Sequence, residues 1–224
     1  MRTLILTVIA AATLAGGCQP AKKVQRTLAL NELQNAAGYA EQQGDTAKAM
    51  ELWTEYVTRR PHEAMAQYRL GILKLSNGMP REAADHLWIA HDLKPDRIDY
   101  LEALAEALHQ SGERDAMFQL LRDTIEEGGL AEGHLRYAKF AGRAGLVDEA
   151  EESLRIAAAL DGDRTDRAYR LLAQLARQTG DTEAEKDAWR HVLWFDRSDE
   201  EANARLSELG MIPGPSLALP PRTE

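Results

Sequence analysis

Two residue series in this chain share one period, and that period decides what the chain can fold into. Gly44, Gly78, Gly112, Gly145 and Gly180 follow one another at intervals of 34, 34, 33 and 35 residues. A few places later Ala49, Ala83, Ala116, Ala150 and Ala184 recur at intervals of 34, 33, 34 and 34. A fixed period of this size marks stacked repeats, each a small supersecondary unit that buries its apolar face only against its neighbours. Residues 64–97 show one unit in full. Leu70, Gly71, Leu73 and Lys74 surround a first helix, and Asn77-Gly78 ends it, glycine taking the left-handed conformation that other residues resist. Pro80 suits the first turn of a second helix, where its missing donor costs nothing. Ala83, Leu87, Ala90 and Leu93 then recur at helical spacing, and Pro95 closes the unit by pushing the residue before it out of helical geometry. Ala, Leu and Glu are plentiful while aromatics make up only 6% of the chain, so composition also favours an all-α fold.

Leu-Gly in a first helix, glycine at the turn, two alanines in the second helix and a closing proline make this stretch resemble the tetratricopeptide-repeat (TPR) family, here through Leu70, Gly71, Gly78, Ala83, Ala90 and Pro95. The resemblance implies an all-α TPR solenoid of about five helix-turn-helix repeats, near 30–63, 64–97, 98–130, 131–164 and 165–198, followed by a C-terminal capping helix at 199–209. Gly44, Ala49, Gly112, Gly145, Ala150 and Ala184 are the matching packing and turn positions of the other units. In the third unit Gly128-Gly129 stands in for the proline, and in the fifth Asp196 does. Ala202, Leu206 and Leu209 share one face of the capping helix, which would cover the apolar end of the stack. Residues 210–224 hold a glycine stop and four prolines and read as a disordered or polyproline tail.

The first residues read as an address rather than as structure. Arg2 precedes an uncharged apolar run, Thr3 to Ala15, and then Gly16, Gly17 and Cys18. This is the pattern of a secretory signal, too short for the roughly 20 apolar residues of a spanning helix. With Cys18 after Gly17, Ala15 three places before it and Leu14 one further back, residues 1–17 resemble a bacterial lipoprotein signal peptide. That resemblance implies lipidation of Cys18, with acyl chains such as palmitate holding the protein to a membrane on its non-cytoplasmic side. Gln19 in place of an aspartate favours the outer membrane, facing the periplasm. Residues 18–27, with Lys22, Lys23 and Arg26, form a polar tether.

Little in the chain points to chemistry. A single cysteine excludes internal disulfides and multi-cysteine metal sites. A net charge of −9 opposes phosphate backbones, so nucleic acid is not an expected partner. There is no phosphate-binding glycine loop and no zinc helix; His86 and His91 lie five apart, off the favoured spacing. Ser153 sits within a helix and has no strand-turn elbow around it. Neither catalytic residues, metal, cofactor nor a small-molecule substrate is expected. Trp53, Trp88, Trp189 and Trp194 fall in second helices and read as core.

Binding is the function left. In TPR proteins the first helices line a concave groove that receives a partner segment, and the resemblance carries that groove to Met65, Tyr68, Ile72 and Leu75 in the second unit. These four large residues form either a patch for an apolar anchor or a surface that the first unit or the tail covers. Further on the inward set turns polar: Asp99, Glu102, Glu106 and His109, then Leu135, Lys139 and Arg143, then Tyr169, Ala173 and Arg177. Acidic then basic and aromatic groups would suit a partner segment of mixed charge, or make an ordinary wet wall. The expectation is a membrane-anchored TPR scaffold or adaptor that holds a protein partner in a cell-envelope assembly or secretion system. The alternative is a periplasmic chaperone-like holder of exported polypeptides.

Overall fold

The computed structural model describes residues 28–162, 164–212, 214 and 216–222. The signal-like segment, Cys18 and the tether lie outside the described residues. Eleven helices run through those residues, and no strand is present among them. Five antiparallel pairs come first: α1 (Leu30–Gln42) with α2 (Thr46–Arg59), α3 (Ala64–Ser76) with α4 (Pro80–Leu93), α5 (Ile98–Ser111) with α6 (Arg114–Asp123), α7 (Leu130–Arg143) with α8 (Val147–Asp161), and α9 (Arg167–Thr179) with α10 (Thr182–Phe195). A single helix, α11 (Glu200–Glu208), follows. Each helix packs on the next, with closer backbone approaches two places apart between α3 and α5 and between α5 and α7. This is a solenoid, not a closed bundle.

The five periodic glycines all sit at the turn inside a pair, with φ between 71° and 81°. That left-handed conformation is strained for any residue with a Cβ, which is why the glycine series marks the turns so cleanly. Gly44-Asp45-Thr46 and Gly180-Asp181-Thr182 repeat the same start signal. Asp45 and Asp181 cap their second helices by accepting the Lys48 and Ala184 backbone N–H groups at 3.0 and 2.9 Å.

Packing within each pair depends on a small residue in the odd-numbered helix. Gly71 holds this place in α3, and a Cβ there would meet Leu87 Cγ at 2.6 Å. Ala37, Ala105, Ala138 and Ala173 hold it elsewhere, all buried. The facing place in the even-numbered helix is filled by the fully buried Ala49 and Ala83, then Met117, then Ala150, then Glu185. The alanine series predicts Ala116 and Ala184 here. Both are only half-buried, because the helices of the third and fifth pairs present the next residue to the interior. The connection ahead of α9 carries one residue more than those ahead of α3 and α5, and the turn glycine of the fifth repeat accordingly follows Gly145 by 35 residues, a shift of one place.

The third pair departs most from the pattern. Its second helix stops at Asp123, and residues 124–128 form turns. Here the backbone runs so close to α7 that a Cβ on Gly133 would lie 1.7 Å from the Ile125 carbonyl oxygen. The buried Arg136 side chain reaches back and donates to the Thr124 and Glu127 carbonyls at 3.2 and 2.9 Å. The Thr124 carbonyl also accepts the Glu127 N–H at 3.1 Å, so the arginine chiefly satisfies the Glu127 carbonyl, which the broken helix end would leave orphaned.

Of the four tryptophans expected in the core, Trp53 and Trp189 are buried, while Trp88 and Trp194 are 41% and 46% exposed. The C-terminal segment also differs from a free tail. Past α11 the chain turns back along α10, where Leu219 N–H donates to the Arg190 carbonyl at 3.0 Å and Arg190 Nε to the Leu217 carbonyl at 2.9 Å. Leu217, Ala218 and Met211 pack on the core of the last repeats. Proline density excludes a helix there but not docking.

Candidate protein-binding surfaces

Two surfaces carry organised polar groups: the face shared by the odd-numbered helices and a cleft between the even-numbered helices α8 and α10.

On the odd-helix face, charged side chains join one helix to the next. Arg69 of α3 meets Glu41 of α1 at 3.2 Å. Arg143 of α7 grips both oxygens of Glu106 in α5, its Nη2 at 2.9 Å from Oε1. Arg167 of α9 does the same to Glu132 of α7, Nη2 at 3.0 Å from Oε2. Arg170 of α9 pairs with Asp199 and Glu201 at the start of α11. The one gap in this ladder lies between α3 and α5. There the Tyr68 and Tyr100 rings stack at 4.5 Å, and the Arg97 guanidinium lies over Tyr100, itself held by Asp99. Bidentate geometry sets the spacing of neighbouring helices, although each half-exposed pair contributes only about 0–1 kcal/mol. The Arg143 hydrogen bonds hold the Glu106 carboxyl far below the usual carboxylate range, to about 2.

This geometry sorts the residues singled out from sequence. Glu106 and Arg143 neutralise each other. Tyr68 is half-buried against Tyr100. Met65, Ile72 and Leu75 are half-buried and pack along the core. Glu102, Lys139 and Arg177 are exposed and form no ion pair among the described residues. Tyr169 does not belong to this face. It is 3% exposed and stacks on His191 of α10 at 4.5 Å, turned away by the one-residue shift of the fifth repeat. Leu135 and Ala173 are likewise buried. Arg167 and Arg170, which sequence spacing missed, take the places that the shift vacates on the odd-helix face.

The second surface is a cleft of about 710 Å³ bounded by α8 and α10 and floored by α9. Leu172, Leu175 and Ala176 supply apolar floor, and carboxylates stand around the rim. Arg222 from the returning segment reaches the mouth and pairs with Asp187, while its backbone N–H donates to Tyr169 Oη at 2.9 Å. Nothing in the sequence pattern signals this cleft, because its walls come from residues of three helices that are each unremarkable alone.

Among the described residues no helix is long and apolar enough to cross a membrane, and no group of three or more His, Cys, Asp or Glu is placed to hold a metal ion.

Solved structures with the same architecture include MamA (residues 41 to the end) from Desulfovibrio magneticus RS-1, at TM-score 0.58 and 13% identity, covering 76% of this chain and 97% of that one. YrrB, described as a TPR protein with an unusual peptide-binding site, matches at TM-score 0.54 and 15% identity over 82% of this chain and 93% of its own. At such identities the likeness speaks for the fold, and the fold is that of a TPR-type solenoid. Among curated proteins, cellulose synthase 2 operon protein C of Komagataeibacter xylinus is 39% identical over 95 residues, which span 42% of this chain and only 7% of that protein. No protein-family model matches the chain.

Proposed function

We propose that this chain is a lipid-anchored TPR scaffold on the non-cytoplasmic side of a membrane, holding a protein partner within a cell-envelope assembly or secretion system. The observation that carries this reading is the odd-helix face: a row of helices joined by arginine–carboxylate pairs at every step except α3 to α5, where the stacked Tyr68 and Tyr100 rings stand instead, with the exposed Glu102, Lys139 and Arg177 open to a partner. A rigid surface with a few unpaired charges of both signs suits one partner of matching charge better than many apolar chains, so it favours the adaptor over the holder. The lipoprotein-like start, with Cys18 as the acylated residue, supports the anchoring. The partial relative named for a cellulose synthase operon supports a polysaccharide-making or polysaccharide-exporting machine as the setting. The chain would act by binding alone.

The test is crosslinking in cells followed by detergent pull-down, with wild type compared to Lys139→Glu and Ile72→Glu, beside membrane fractionation of Cys18→Ser. One envelope protein recovered with wild type and lost with Lys139→Glu is the expected result. A diffuse set of unrelated chains would shift the reading to the holder, and a cleaved Cys18→Ser variant still firmly on the membrane would remove the lipid anchor.

A further inference from the structure

The cleft between α8 and α10 combines an apolar floor with an acidic rim made by Asp148, Glu151, Asp181, Glu183 and Asp187. Only two arginines line it. Arg155 is spent on Glu151, and Arg222 arrives from the returning C-terminal segment to meet Asp187. Asp148 forms no ion pair among the described residues.

An acidic rim alone would mean little. The telling group is His191, which lines the cleft and is 3% exposed. Its Nδ1 faces the Leu219 carbonyl oxygen at 3.2 Å, and a carbonyl can only accept, so the proton sits on Nδ1. Nε2 is then a bare acceptor, buried and without a hydrogen-bond partner among the described residues. A buried, unmatched acceptor is costly unless something supplies a donor. Asp187 Oδ2 lies 3.8 Å from it, so two acceptors converge on one spot at the cleft wall. Tyr169 stacks on the imidazole and fixes its plane. Burial holds the ring below its usual basicity, which keeps Nε2 an acceptor at neutral pH.

We propose that this cleft is a second protein-binding site, one that takes an extended partner segment in which apolar residues and prolines precede an arginine. The guanidinium would lie between Asp187 and His191 Nε2, with its five donors matched to both acceptors. The apolar residues would lie on Leu172 and Leu175. The occupant is read from the chain itself: Leu217-Ala218-Leu219-Pro220-Pro221-Arg222 has that chemistry and already rests at the mouth, its backbone bonded to Arg190 and its arginine on Asp187. The segment thus acts as a built-in competitor that a partner's segment displaces. This site lies on the face opposite the ion-pair ladder, and it stands or falls independently of the scaffold reading.

The test uses a fluorescently labelled, C-terminally amidated peptide copying residues 216–222, and a second peptide with alanine for its arginine, titrated by anisotropy into the purified chain. Arg222→Ala should bind the first peptide about five-fold more tightly than wild type, because the competitor's anchor is gone. The arginine-free peptide should bind that variant about ten-fold more weakly, as expected for a lost charge-assisted hydrogen bond. Asp187→Asn in the Arg222→Ala background should weaken binding similarly. Asp148→Lys, an exposed change that leaves the fold's core alone, should weaken it several-fold, and Lys139→Glu, an exposed change on the odd-helix face, should not matter. Equal binding of the two peptides, no binding to Arg222→Ala, or loss of binding in Lys139→Glu alone would each overturn the proposal.

Discussion

Arg205 of α11 holds Glu185 of α10 with Nε at 2.6 Å from Oε1 and Nη2 at 3.2 Å from Oε2, and Glu185 occupies the place that alanine fills in three of the other repeats. A carboxylate at a packing position is tolerable only while its partner stays in place, so the pair fastens the last helix to the stack. The Arg205 hydrogen bonds draw the Glu185 carboxyl below its ordinary value. Arg205→Ala should therefore lower the melting temperature by several degrees. Adding Glu185→Ala to it should recover part of the loss, since the stranded carboxylate is then removed. A double variant less stable than Arg205→Ala would show that the pair does not carry the fastening.

Acid should loosen the odd-helix face at one rung. The folded Glu106 carboxyl titrates near 2, below its ordinary 4.5. A depressed carboxyl contributes stability that is complete above the unfolded value and is lost as pH falls through the folded one. Between pH about 5 and 2 the Glu106–Arg143 pair should lose about 1 kcal/mol, the solvent-screened worth of such a pair. Urea midpoints across that range should fall more steeply for wild type than for Glu106→Gln, and parallel curves would dismiss the rung.

Gly133→Ala should destabilise by at least about 1–3 kcal/mol, because backbone and not a yielding side chain blocks the added methyl group. The same change at Gly38, where a Cβ meets nothing within 4 Å, should be neutral or slightly stabilising. Similar urea curves for the two variants would mean that the approach of residues 124–128 to α7 is looser than described.

Neighbouring residues on α4 give a direct check of repeat register. Leu87 is fully buried and Trp88 is 41% exposed. Leu87→Ala should cost about 2–5 kcal/mol by cavity formation, and Trp88→Ala about 0.5 kcal/mol or less. Reversal of that order in chemical denaturation would move the register by one residue.

Arg136→Met keeps the apolar stem and removes the donors to Thr124 and Glu127. Thr124 keeps the Glu127 N–H, but leaving the Glu127 carbonyl unmatched should cost about 1–3 kcal/mol. Hydrogen exchange should speed up first in residues 124–129. Uniform or unchanged exchange would deny the arginine its capping part.

The repeat was legible in the sequence because its marks answer to hard constraints. The turn glycines must adopt positive φ, and the small residues at Gly71 and its counterparts must admit a facing helix. What stayed hidden was set by single-residue shifts. Alanine stands beside the true packing residue at Ala116 and Ala184, so the series runs unbroken past Met117 and Glu185. The same shift drew Tyr169 onto the wrong face and concealed Arg167 and Arg170. Arg136 reads as one more surface arginine until the short α6 gives it carbonyls to satisfy. The docking of residues 217–222 depends on groups from α9 and α10 that local composition cannot bring together.

Because the helices pack chiefly on those one or two places away in the chain, the molecule has a beginning and an end in a mechanical sense. Its C-terminal end is closed by the Glu185–Arg205 pair, by Arg170 and by the returning segment. A pull along the chain from the N-terminal side would therefore peel helix pairs off one at a time, as a strip of adhesive lifts, and would spare the last repeats until the end.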